Sequence, residues 1–172
     1  LFFISGIIFG LSFLARYINI VPIFGFGMWV LLINRNKFSE IFFTALSFTL
    51  IILIGILIDY WGYNQILLSS LNYYLINFEH DQEKYFATSF PWWYYFFLII
   101  KEFLPPLSII ILSSMFLFWV RLPKNFVTWT TLPLFIFLCW VSTKETRLLF
   151  PILIFSPLFI GCLVDNLLVY KK

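Results

Sequence analysis

The sequence predicts an all-α fold: a polytopic membrane helix bundle of about six transmembrane helices, with interfacial helices in an outer loop. Three observations predict it. Of 172 residues, 62% are hydrophobic and only 11% charged, with a mean hydropathy of +0.98, whereas a typical soluble domain carries roughly 25% charged residues. Apolar runs close to bilayer length recur along the chain. None of them alternates in the two-residue period of a barrel strand. The same composition excludes a soluble globular domain and a disordered chain. The net charge of +3 is scattered rather than clustered, so a nucleic-acid partner has no electrostatic footprint. Cys139 and Cys162 sit inside apolar runs and read as small buried hydrophobes. They offer no metal-ligand spacing, and no cofactor is expected.

A hydrocarbon core about 30 Å thick asks for about 20 mostly apolar residues per helix. The candidate spans, in order, are Leu1–Ala15, Val21–Ile33 (extendable to Ile18), Ile41–Ile58, Leu104–Val120, Val127–Val141 and Leu148–Tyr170. Ile41–Ile58 is free of charge and proline; Leu148–Tyr170 contains Pro151, Pro157 and Asp165. No fixed-period repeat and no Gly/Ser linker divides the chain, so residues 1–172 read as a single transmembrane domain with an outer segment over 59–103. A first span of about 15 residues opening on leucine leads us to expect the downstream part of a longer protein.

Positive residues in short loops mark the cytoplasmic side. Arg35 and Lys37 follow the second span, Arg121 and Lys124 the fourth, Lys171 and Lys172 the sixth, all on one face. The opposite, extracytoplasmic face then holds Arg16, the segment from Asp59 to Pro91, and the turn around Lys144, Glu145 and Arg147. Hydropathy leaves a bacterial inner membrane and an endoplasmic reticulum membrane equally open.

In the outer segment, Leu67, Leu71, Tyr74, Leu75 and Phe78 recur at helical spacing and predict a helix lying in the interface. The polar stretch from Glu79 to Lys84 contains His80 and Asp81, which read either as a general acid or base or as solvated loop groups. The run from Trp92 to Phe97 reads as an aromatic belt at headgroup depth or, more sharply, as a stacking surface for sugar, with Trp92, Trp93 and Tyr94 on the sugar and acceptor path. Lys101 and Glu102 would each cost roughly 2.5–3.5 kcal/mol at a bilayer centre. Trp92–Ile100 is therefore expected to be a short interfacial or re-entrant piece, with Pro105 and Pro106 opening the next span.

The stretch from Ser142 to Arg147 carries two cations in an outer turn, where short loops normally avoid them. Ser142 with Glu145 fits a capping box that would start the sixth span. Lys144 and Arg147, three residues apart, are then expected on similar sides of the first turn, beside the positive end of the helix. A phosphate suits that corner, with Glu145 restraining a cation or touching a sugar hydroxyl. The alternative is pairing with Glu145 and lipid headgroups. Arg16, ending another outward-running span, adds a third cation to the same face.

These residues resemble the Alg9/PIG-B-like mannosyltransferases, glycosyltransferase family 22 of the GT-C superfamily. Gly10-Leu11-Ser12-Phe13-Leu14-Ala15-Arg16 resembles the family's helix ending in arginine. Asp59-Tyr60-Trp61-Gly62 with Asn72 and Asn77 is similar to its aspartate, Tyr-Gly and Asn-Phe segment. Residues Phe86 to Tyr95 resemble its Tyr-Gly-Ser-His-Pro-Trp-His-Trp-Tyr stretch, and Thr143 to Pro151 its His-Lys-Glu-x-Arg-Phe-x-x-Pro motif. Phe90 and Trp93 stand where the family has histidines, Ala87 where it has glycine, and Thr143 where it has the histidine before Lys-Glu.

The resemblance implies a GT-C-like enzyme that transfers a hexose, mannose in this family, from a polyprenyl-phosphate sugar to a hydroxyl of a glycan or glycolipid, with inversion, at the extracytoplasmic side. Lys144, Arg147, Arg16 and Glu145 would bind the donor phosphate. The family's acidic first outer loop has no counterpart here, so the chain is expected to be the C-terminal part of such an enzyme. Asp59, Asp81 and His80 are the remaining catalytic candidates. Bacterial transferases of the arabinose and protein-mannosyl type share the Pro-Trp-Trp-Tyr-Tyr character. A transporter element or a non-catalytic membrane subunit are the non-enzyme alternatives; within the spans, Asp165 is their main ionisable residue.

Overall fold

A computed structural model describes residues 2–34, 38–66, 68–69, 71–72, 75, 90–141 and 144–169. Among them the regular structure is entirely helical. Helix α1 covers Phe2–Ala15, and a 3₁₀ turn over Tyr17–Asn19 leads into α2, Ile20–Trp29, which runs on as a π-turn over Val30–Asn34. Helix α3 is Phe38–Tyr63, α4 Tyr94–Glu102, α5 Leu107–Arg121 and α6 Phe126–Trp140. A 3₁₀ turn over Thr146–Leu149 then opens into α7, Phe150–Leu153, followed by α8, Ser156–Val169. Close contacts divide the chain into two compact units, Leu1–Ala87 and Thr88–Lys172.

Among the described residues, two stretches are long and apolar enough to cross a membrane, Tyr17–Asn34 and Ser39–Tyr63. The latter lies within α3, whose 26 residues rise about 39 Å at 1.5 Å each. Helices α1, α5 and α6 are shorter apolar helices. The sixth expected span, Leu148–Tyr170, corresponds to a bent pair, Thr146–Leu153 and Ser156–Leu168, which meet at 54° and together have the length and hydropathy of a broken span or a re-entrant loop. Pro157 has no amide to bond the carbonyl four residues back, and the ladder resumes through the Leu158 amide on the Phe155 carbonyl at 3.0 Å.

In the first unit, α1 and α3 run in the same direction, as the pairing of Phe2 with Thr44, Gly10 with Ile51 and Leu14 with Gly55 shows. Gly6 and Gly10 are both buried and bring the two backbones together. A Cβ at Gly10 would lie 2.7 Å from the Cβ of Ile51, and one at Gly6 would collide with the Ser47 hydroxyl and the Thr44 carbonyl. The Thr44 hydroxyl donates to the Phe2 carbonyl at 3.2 Å, and Phe13 meets Phe48 with ring centroids 6.2 Å apart. Asn64, at φ 54°, ends α3 in the left-handed conformation, its amide bonding the Tyr60 carbonyl at 2.9 Å. Of the expected interfacial helix over Leu67–Phe78, Leu71 and Leu75 are helical, while Leu67, Tyr74 and Phe78 lie outside the described residues. So do the basic residues Arg35, Lys37, Lys171 and Lys172.

The second unit is built on apolar faces at three- and four-residue spacing. Helix α4 buries Tyr95, Leu98 and Ile99; α5 buries Ile111, Met115, Phe118 and Trp119; α6 buries Val127, Leu134, Phe135 and Leu138. Phe118 packs edge-on to Phe159 of α8 at 5.1 Å. Phe96 and Trp119 both approach the Phe135 ring, at 5.4 and 5.5 Å. Within this apolar set the Trp119 indole N–H donates to the Thr131 hydroxyl at 3.0 Å. The α5–α6 turn is knit by Asn125, which accepts from the Val127 amide at 2.9 Å, and by Thr128, which donates to the Leu122 carbonyl at 2.8 Å. The expected piece Trp92–Ile100 is helical from Tyr94 and takes in Lys101 and Glu102, and Pro106 caps the start of α5.

Candidate functional site

The turn between α6 and the last helix pair brings Lys144, Glu145 and Arg147 into hydrogen bonds and an ion pair. The last carbonyls of a helix lack partners within it. Here the Val141 amide bonds the Phe137 carbonyl at 3.0 Å, and the Lys144 ammonium donates to the carbonyls of Leu138 at 2.7 Å and Cys139 at 2.6 Å. A cation at the negative end of the α6 dipole is also favourable in its own right. The same ammonium stands 4.9 Å from the centroid of the Tyr95 ring. Burial pulls the pKa of Lys144 below the usual lysine value.

Two residues of this turn meet Tyr95, which is fully buried on α4. Its hydroxyl accepts from the Glu145 amide at 3.4 Å. Burial pushes the Tyr95 pKa up to about 12, so the phenol keeps its proton at physiological pH. The Glu145 carboxylate pairs with Arg147 in a fork: Nη2 donates to Oε1 at 3.0 Å and Nε donates to Oε2. Arg147 is exposed.

The expected capping box is corrected. Glu145 does not sit at the third helical position reaching back; it precedes a 3₁₀ turn starting at Thr146, and its carboxylate turns forward to Arg147. Ser142 and Thr143 lie outside the described residues. Lys144 and Arg147 do not act as a matched pair on one first turn. Lys144 is drawn back to the end of α6, because two unfilled carbonyls compete for its protons, while Arg147 is held by Glu145.

Arg16 lies in the first unit, exposed and extended between α1 and the following 3₁₀ turn. Its corner is fixed by Asn19, whose side-chain amide donates to the Ser12 carbonyl at 3.0 Å and hydroxyl at 2.9 Å. The Asp59 carboxylate accepts from the Ser69 amide at 2.7 Å, a bond that holds the chain beyond α3. His80 and Asp81 lie outside the described residues. Trp92 and Trp93 are exposed, while Tyr94 stacks on Phe90 with ring centroids 4.2 Å apart. No three His, Cys, Asp or Glu side chains gather as a metal site among the described residues.

Tyr95 is the residue of this site that the sequence reading passed over. The signal was available, since a helix opening at Tyr94 places Tyr95, Leu98 and Ile99 on one face and leaves Trp92 and Trp93 outside it.

A family model described as the Alg9-like mannosyltransferase family matches residues 2–172. No curated protein and no solved structure is matched.

Proposed function

Because the chain belongs to the Alg9-like mannosyltransferase family and is a membrane glycosyltransferase, we propose that it takes part in transferring mannose from a polyprenyl-phosphate donor to a glycan or glycolipid hydroxyl. We place this reaction at the extracytoplasmic mouth of a multi-pass bundle. The observation that carries the reading is the family match along residues 2–172, which includes the turn bearing Lys144, Glu145 and Arg147. In the reaction the sugar–phosphate bond breaks and the lipid phosphate leaves with negative charge. Arg147, a planar fork already aligned on one carboxylate, suits bidentate contact with phosphate oxygens. Lys144 contributes a charge held in place by the α6 carbonyls, and preorganised charge of this kind favours the transition state without reorganisation. Arg16, in the first unit, is a candidate for donor phosphate from the family resemblance of the helix it ends. Trp92, Trp93 and Tyr94 offer ring faces along the sugar path. Asp59, Asp81 and His80 are the candidates within this sequence for the base that activates the acceptor hydroxyl.

Binding of labelled polyprenyl-phosphate mannose to the full-length protein in lipid tests the reading. Binding is expected to fall in Arg147→Ala and Lys144→Ala and to survive His80→Ala. Unchanged binding in both cation variants contradicts it.

A further inference from the structure

One aromatic side chain stands beneath the whole donor turn. Tyr95 is fully buried, its ring lies 4.9 Å from the Lys144 ammonium, and its hydroxyl takes the Glu145 amide at 3.4 Å. Those two residues immediately precede the 3₁₀ turn that carries Arg147, and the Glu145 carboxylate forks onto the Arg147 guanidinium. One ammonium and one backbone amide of the turn are therefore held against one phenol on a different helix, and Arg147 is tied to it through Glu145. Phenylalanine would fill the same apolar volume beside Leu98 and Ile99. The hydroxyl adds nothing to that packing, and it accepts from the Glu145 amide of the turn.

We propose that Tyr95 is a positioning residue for donor binding: its ring holds Lys144 and its hydroxyl holds the Glu145 backbone, which together set the place of Arg147. This rests on the donor reading above and adds to it the residue through which the turn is held. Tyr95 itself does not touch the donor.

The test uses the full-length protein in lipid, with steady-state kinetics on polyprenyl-phosphate mannose and acceptor. In parallel, acylation of Lys144 by an amine reagent is followed by mass spectrometry. Tyr95→Phe keeps the ring and loses the hydroxyl, and is expected to raise the donor KM about threefold with Lys144 labelling unchanged. Tyr95→Leu loses both and is expected to raise it about tenfold, with faster Lys144 labelling. The acceptor KM stays the same in each. A purely structural role for Tyr95 would instead lower the apparent kcat while leaving both KM values alone, and that result overturns the proposal. Where Tyr95→Leu does not accumulate, the donor KM of Tyr95→Phe decides by itself. A wild-type protein that neither binds nor uses the donor overturns the donor reading and this proposal with it. A wild-type protein that uses the donor, beside Tyr95 variants with an unaltered donor KM, overturns this proposal alone.

Discussion

The ammonium of Lys144 donates to the carbonyl of Leu138 at 2.7 Å, closing the end of α6 from six residues downstream. A second bond, to Cys139 at 2.6 Å, makes the lysine a two-carbonyl cap. Hydrogen bonds from a charged donor contribute about 1.5–3 kcal/mol when buried, and Lys144 is only partly so. Lys144→Met is therefore expected to destabilise the second unit by about 1–2 kcal/mol, read as a lower thermal midpoint in detergent. An unchanged midpoint would show that the cap is not needed.

The depressed pKa of Lys144 carries a pH dependence of definite sign. Burial disfavours its charged form in the fold, so a penalty exists while the folded group is charged. That penalty fades as pH rises from the folded pKa toward the unfolded value of 10.5. Across that window wild type is expected to gain stability relative to Lys144→Met, which lacks the titrating group. Paired melting curves across a pH series measure the difference directly, and a constant gap rejects it.

The parallel pairing of α1 and α3 predicts a graded response among glycines. Gly6→Ala drives a Cβ into the Thr44 carbonyl, which belongs to the backbone and cannot rotate away. Overpacking of that kind costs about 1–3 kcal/mol. Nothing lies within 4 Å of a Cβ at Gly27, so Gly27→Ala is expected to be neutral or slightly stabilising. Thermal midpoints of the two variants in one detergent should separate clearly, and equal midpoints would contradict the close approach.

A buried polar contact inside α5 and α6 supplies a further check. Thr131 accepts from the Trp119 indole and donates to the Val127 carbonyl at 2.6 Å. Thr131→Val keeps the shape but strands a buried N–H, at about 1–3 kcal/mol. Trp119→Phe together with Thr131→Val should recover part of that loss in a double-mutant cycle.

Much of the helical framework was legible from hydropathy. Ile41–Ile58 lies inside α3, and Val127–Val141 matches α6 to within a residue at each end. Solvent preference sets where an apolar run starts and stops, and proline and charge mark the breaks. Other features depend on partners rather than on solvent. The bend near Phe155 fell inside a run that hydropathy counts as one span, although Pro157 was its local cause. Gly6 and Gly10, four apart on one helix face, carried a packing signal that hydropathy counting overlooks. At the candidate site, spacing placed Lys144 and Arg147 together, yet the direction of Lys144 was decided by unfilled carbonyls at the end of a different helix. A local motif holds no record of those carbonyls, nor of Tyr95, fifty residues away from the Glu145 amide that it receives.

The most direct test of the account is transfer of labelled mannose from polyprenyl-phosphate mannose to an acceptor glycolipid by the full-length protein in membranes, compared with Arg147→Ala. The account predicts transfer by wild type and a rate about 10²–10³-fold lower in the variant, the size seen when one preorganised charge-stabilising donor is removed. Equal rates in the two proteins, or transfer supported only by a nucleotide-sugar donor, would contradict it.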